Sequence, residues 1–156
     1  MKDYRYKLYS AIMLLLFLAP IATTNCTDKL ELQDSDDWVK VCTQWGTTTA
    51  KVKNMMKTYT QLSSSSGVIV YKGKGDTEAI SYRFVEDSLC SSMVVMKSEQ
   101  VDLVTLRSSF SDYQSLGEYN SNELYVNGSQ LVTIKEYSKN ETTYIAIGYV
   151  PFVINE

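Results

Sequence analysis

The chain has no histidine in 156 residues. That removes the commonest general base, the usual partner of a nucleophilic serine or cysteine, and the commonest metal ligand. Only three cysteines are present, so no Cys/His cluster of metal-binding pattern can be drawn. Gly73-Lys74-Gly75 is too short for a phosphate-binding loop and falls between strand-like segments. Lys and Arg nowhere form a run. Phosphate contacts need such clusters, so nucleic acid is not an expected partner. Paired acids occur at Asp36/Asp37 and Glu86/Asp87. Each pair sits where a helix start or a hairpin turn favours acids, which is the simpler reading beside acid–base catalysis. No enzymatic activity, cofactor or metal is expected.

What is there begins with an address. Residues 1–7 carry Lys2, Arg5 and Lys7, residues 11–19 have no polar side chain, and Pro20 ends the run. A charged start, a short apolar centre and a small-residue exit describe an export signal over residues 1–25. The run is shorter than the ~20 apolar residues a membrane-spanning helix needs. Cys26 follows directly, at the position where bacterial lipoproteins are acylated and cut. The flanking Thr23 and Asn25 match that pattern poorly, and ordinary cleavage after Ala22 is the alternative. Residues 26–37 then read as an acidic tether, with Asp34 or Ser35 also able to cap a turn that holds Trp38. The expected location is a lipid-anchored outer membrane or cell surface, or else a soluble secreted or periplasmic one. With the signal removed, 12 basic residues face 17 acidic ones, a net charge of −5. If Cys26 is acylated, Cys42 and Cys90 are left as a candidate disulfide; equally, both can be small buried hydrophobes that never meet.

Residues 38–156 suit one domain. Tyrosine dominates the aromatics, 12 against 4 Phe and 2 Trp, which favours sheet. Val52, Met55, Met56 and Tyr59 fall on one helical face, after Gly46 and a Thr48 N-cap. A short helical turn over 36–43 leads into them. Residues 61–67, with four consecutive serines, read as a flexible loop. Strands follow over 68–72, 79–85 and 89–96. Leu103, Leu106, Phe110 and Tyr113 then repeat at helical spacing, with Ser98 as N-cap and Gly117 as C-cap. Strands over 123–126, 131–137 and 142–150 complete the chain, the first two joined at Asn127-Gly128. Tight turns at 73–77, 86–88 and 127–128 join antiparallel neighbours only. The expected fold is α+β in two layers: an antiparallel sheet with two main helices on one face, and the pattern α-β-β-β repeated over about 45–96 and 98–150.

Trp45-Gly46-Thr47-Thr48 with Val52, then Tyr71, then Ile80-Ser81-Tyr82-Arg83-Phe84 with Leu89, resembles small exported Bacteroidetes lipoproteins of unknown function. More distantly, Gly46-x-Thr48-x-x-x-Val52 is similar to the opening of the SmpA/OmlA and β-lactamase-inhibitor-like (BLIP-like) fold, in which a helical hairpin packs on an antiparallel sheet. Here that hairpin is reduced to a turn around Trp38. The resemblance implies a protein-binding or scaffold role and offers no catalytic residue to carry over. Asp87-Ser88-Leu89 also resembles the O-glycosylation acceptor of that phylum. Two roles stand from these readings. One is a module that binds protein or glycan through an exposed sheet face or through Tyr113, Tyr119 and Tyr125, with the membrane as a partner through the N-terminal lipid. The other is an accessory subunit of an envelope complex.

Overall fold

A computed structural model describes residues 41–153. The signal segment 1–25, Cys26 and the tether 26–37 lie outside the described residues. Of the turn expected over 36–43, residues 41–43 carry no helix. Eight strands form one antiparallel sheet: β1 Gln61–Ser65, β2 Val68–Lys72, β3 Thr77–Val85, β4 Ser88–Lys97, β5 Gln114–Tyr119, β6 Asn122–Asn127, β7 Gln130–Lys139 and β8 Thr142–Pro151. Their order across the sheet is β1-β2-β3-β4-β8-β7-β6-β5. Two four-stranded meanders therefore meet through their last strands, β4 and β8. A helix precedes each meander: α1 Thr49–Met55 and α2 Leu103–Ser108.

The sheet follows from alternation. Tyr71, Ile80, Val94, Ile147 and Ile134 stand in one row across five strands, and Ile69, Tyr82, Ser92, Tyr149 and Val132 in the next. All ten are buried, because side chains two apart share a face. Burying each large apolar side chain stabilises the fold by about 1.5–3 kcal/mol. Ser92, the one aliphatic hydroxyl among them, donates to the Cys42 carbonyl at 2.7 Å. Both helices put their buried residues, Val52 of α1 and Leu106 of α2, into clusters built on these rows.

The hairpins are tight. Ser66-Gly67, Glu86-Asp87, Asn120-Ser121 and Asn140-Glu141 all have two consecutive positive φ values, the backbone twist that suits a two-residue hairpin. The turn after β6 is Gly128-Ser129, since Asn127 still pairs with Gln130, one residue later than expected. The turns at 73–76 and 86–87 fall as the sequence indicated.

Several expectations need correction. The sheet has four strands per half, and the helices are 7 and 6 residues long, not two main helices. Residues 61–65 are the edge strand β1, paired to β2; serine and glutamine hid a segment that has no apolar face to bury. Residues 114–119 are the opposite edge, β5, and Gly117 is not a helix cap. It lies at a register shift in β5 with φ +87°, a conformation that glycine adopts at little cost. α1 has the expected N-cap, Thr48, whose hydroxyl accepts from the Lys51 amide. It stops at Met55, and tighter bonds close the end, Lys57 to Asn54 and Tyr59 to Met56, ahead of β-branched Thr58 and Thr60. α2 is capped by Asp102, not Ser98; residues 98–100 form a separate 3-10 turn. Ser108 and Ser109 hydroxyls return to the Thr105 carbonyl at 2.7 and 3.3 Å. This competition ends the helix before Phe110. Its apolar positions still pack together as the spacing implied.

Candidate functional site

The side chains that alternate with the core rows project to the other face of the sheet. Val68, Val70 and Lys72 do so from β2, and Ala79, Ser81, Arg83 and Val85 from β3. Met93, Val95 and Lys97 do so from β4, Thr133, Lys135, Tyr137 and Lys139 from β7, and Tyr144, Ala146 and Gly148 from β8. The described helices bury their residues in clusters on the opposite side. Val85 is 51 % and Met93 39 % exposed. Towards β6 this face closes around the buried Leu124 and Leu131.

Charge separates the two faces. The charged residues that the strand registers place on this open face are Lys72, Arg83, Lys97, Lys135 and Lys139, all basic. On the helix face they are Glu118, Glu123 and Glu136, all acidic. Glu78 belongs to neither set, lying in the bulge between Thr77 and Ala79. None of the five bases joins an ion pair with another described residue.

One row of the open face reads Lys72–Ala79–Val95–Ala146–Lys135. With strands ~4.8 Å apart, its lysines are separated by about 19 Å of small side chains. Beside it, Lys97 pairs with Tyr144 and Tyr144 with Tyr137. The two tyrosine rings stack 5.6 Å apart at 22°. On the other side run Val70, Ser81, Met93, Gly148 and Thr133. The result is a strip of small side chains across the strands, with a basic residue at each end and an aromatic pair along one side.

The residues singled out from the sequence fall elsewhere. Cys42 is buried in the first core cluster and Cys90 is half-buried on β4, opposite the register shift between Arg83 and Phe84; no disulfide joins the two. Cys90 donates to the Arg83 carbonyl at 3.3 Å, and burial raises its pKa. Tyr113 lies in the connection between α2 and β5 and Tyr125 in β6, and both pack against the second core cluster. Phe110 sits 5.4 Å edge-on to Tyr113 and stacks 5.7 Å from Tyr125, and all three belong to the second core cluster. Tyr119 ends the edge strand β5 and is 39 % exposed. The pair that does line the open face, Tyr137 and Tyr144, was not singled out.

Two polar groupings lie on the helix side. Arg107 grips Glu123, its Nε donating to both carboxylate oxygens at 3.0 and 3.1 Å, and Tyr125 donates to the same carboxylate at 2.8 Å. The Arg107 hydrogen bond holds Glu123 below the usual carboxylate range. This cluster ties α2 to β6. A hollow of about 260 Å³ is lined by Asp76, Gln100, Asp102 and Thr105 among others. Asp102 already accepts from the Val104 and Thr105 amides and the Thr105 hydroxyl at 3.1, 3.2 and 2.6 Å. Among the described residues, no group of three or more Cys, Asp or Glu side chains is placed to hold a metal ion. No described helix is long and apolar enough to cross a membrane.

Comparisons with protein-family models, with curated proteins and with solved structures each return no match to this chain.

Proposed function

We propose that this chain is an exported, lipid-anchored, non-catalytic binding module of the bacterial cell envelope or surface, held to the membrane through acylated Cys26. In this reading the domain is a two-layer α+β unit, each half a helix followed by a meander, akin to the small Bacteroidetes lipoproteins and more distantly to the SmpA/OmlA and BLIP-like proteins. One observation carries the binding role: the described helices pack on one face of the sheet, and the charged residues that the described strands place on the other are all basic. A surface that carries one sign of charge raises the local concentration of partners of the other sign.

The experiment is the intact mass of the protein from membranes of the cell that makes it, with its N-terminal peptide sequenced. An acylated Cys26 is the expected N-terminus. A lipid-free N-terminus near Thr23 would overturn the anchor and make the chain a soluble secreted or periplasmic protein.

A second reading, an accessory subunit of an envelope complex, draws on the sheet edges. Every residue of β1 and of β5 is exposed, and an unpaired strand edge accepts a strand from a partner. Stoichiometric co-purification of another envelope protein would favour it.

A further inference from the structure

We propose that the open-face strip between Lys72 and Lys135 binds an anionic polysaccharide, its chain running across the strands. The inference deepens the binding-module reading and rests on it. Three features select the class of ligand. The first is charge complementarity: Lys72, Lys97, Lys135 and Lys139 lie towards one end of the open face, on β2, β4 and β7. Lysine ammonium groups on long stems suit anionic groups that recur along a polymer. The second is shape. Ala79, Val95 and Ala146 keep the strip low, and Gly148 does the same in the row beside it, where an added Cβ would come within 2.7 Å of the Thr133 hydroxyl. An extended chain about 19 Å long, four strand intervals, fits along the strip. The third is the stacked Tyr137–Tyr144 pair on one side. An aromatic ring with a polar edge offers a flat apolar surface to a sugar and a hydroxyl to its substituents. A membrane surface would call instead for protruding large apolar side chains, and the strip has only alanine and valine between its lysines.

The test uses the mature full-length chain in affinity gels containing polygalacturonate or dextran sulfate, with neutral dextran as a control. Phosphatidylglycerol vesicles serve in a parallel sedimentation assay. Retardation by at least one anionic polymer and not by dextran is expected, weakening as salt rises from 50 to 500 mM, roughly as screening shortens. The variant Lys72→Glu/Lys135→Glu should lose at least tenfold in affinity. Lys72→Gln/Lys135→Gln, which keeps the stems, should lose less, and Tyr144→Ala should weaken binding with the charges intact. Lys51→Glu/Lys57→Glu on the helix side should change nothing, and a thermal melt confirms that each variant is folded. No retardation by either polymer, equal loss in the helix-side variant, or sedimentation with the vesicles alone would overturn the proposal. The anchor reading fails separately: a lipid-free N-terminus leaves the polymer result standing, and an acylated Cys26 leaves it unproven.

Discussion

The two halves of the sheet hold their helices by different means. In the first half the attachment is largely backbone. The Gly46 amide donates to the Leu89 carbonyl at 3.0 Å, the Leu89 amide donates back to Thr47 at 2.9 Å, and Thr48 bridges to Ser88. Asp87, in the β3–β4 turn, accepts from the Thr49 amide at 3.0 Å and so caps α1 from across the fold. Beneath this, the buried Tyr82 hydroxyl donates to the Met56 sulfur at 3.6 Å. In the second half the attachment is by side chains: the Arg107–Glu123–Tyr125 cluster, the Phe110 ring stack, and Tyr113 donating to Gln130 at 3.4 Å. A similar outline, one short helix ahead of four strands, is reached through two kinds of chemistry. The second kind depends on salt and pH more than the first.

The largest effect should come from the second half's aromatic anchor. Phe110→Ala removes a buried ring and should cost about 3–5 kcal/mol in urea unfolding. Val104→Ala, on the exposed side of α2 (Val104 is 71 % exposed), should cost less than about 0.5 kcal/mol. Equal losses would mean that the helix, and not the turn after it, fastens this half.

Next come the turns, which share a backbone but differ in duty. Glu141 sits at φ +64° in the β7–β8 turn and Asp87 at φ +63° in the β3–β4 turn. Glu141→Gly should stabilise by about 1 kcal/mol, since a non-glycine residue there is strained. Asp87→Gly relieves the same strain and loses the cap of α1, so its melting temperature should fall below that of Glu141→Gly. A matching rise in both would show that the cap contributes nothing.

Smaller still is the ion pair. Arg107 is 46 % and Glu123 28 % exposed, so solvent screens the interaction, and a double-mutant cycle should give below about 1 kcal/mol. Its sign with pH is fixed. Glu123 is depressed in the folded state, chiefly by the Arg107 hydrogen bond. Its stabilisation is present above the ordinary glutamate value, about 4, and is lost as pH falls through the folded value. Asp87 and Asp102 are depressed as well, so acid weakens both halves. Glu123→Gln should remove only its share of that loss, and a stability–pH curve identical to the parent's would contradict the assignment.

The smallest effect expected is at Tyr71. Its hydroxyl is buried with no hydrogen-bond partner among the described residues, so Tyr71→Phe should be neutral or stabilising by up to about 1 kcal/mol. A clear loss would reveal a partner.

Much of the sheet was legible because long stretches of its strands alternate: Ile80, Tyr82 and Phe84 face one way and Ser81 and Arg83 the other. The Thr48 cap and the acidic Glu86-Asp87 turn were legible for similar local reasons. The edge strands were not. β1 and β5 are held by one neighbour each and bury no side chain, so no period marks them. Helix length misled because Phe110 and Tyr113 keep helical spacing through a run of tighter turns. The basic face was half visible. Each basic residue sits out of phase with its strand's apolar set, but only the registers reveal that all five share one face. Tyr137 and Tyr144 become a pair only once β7 and β8 are aligned.

Lysine footprinting bears most directly on the binding role of the open face, because it needs no knowledge of the ligand. The protein would be labelled in intact membranes of the cell that makes it, and again after purification. Lys72, Lys97, Lys135 and Lys139 should be shielded in the membranes and labelled once purified, while Lys51, Lys53 and Lys57 on the helix side label alike in both. Equal labelling of the open-face lysines in the two samples, or protection confined to the helix side, would contradict the assignment of that face as the binding surface.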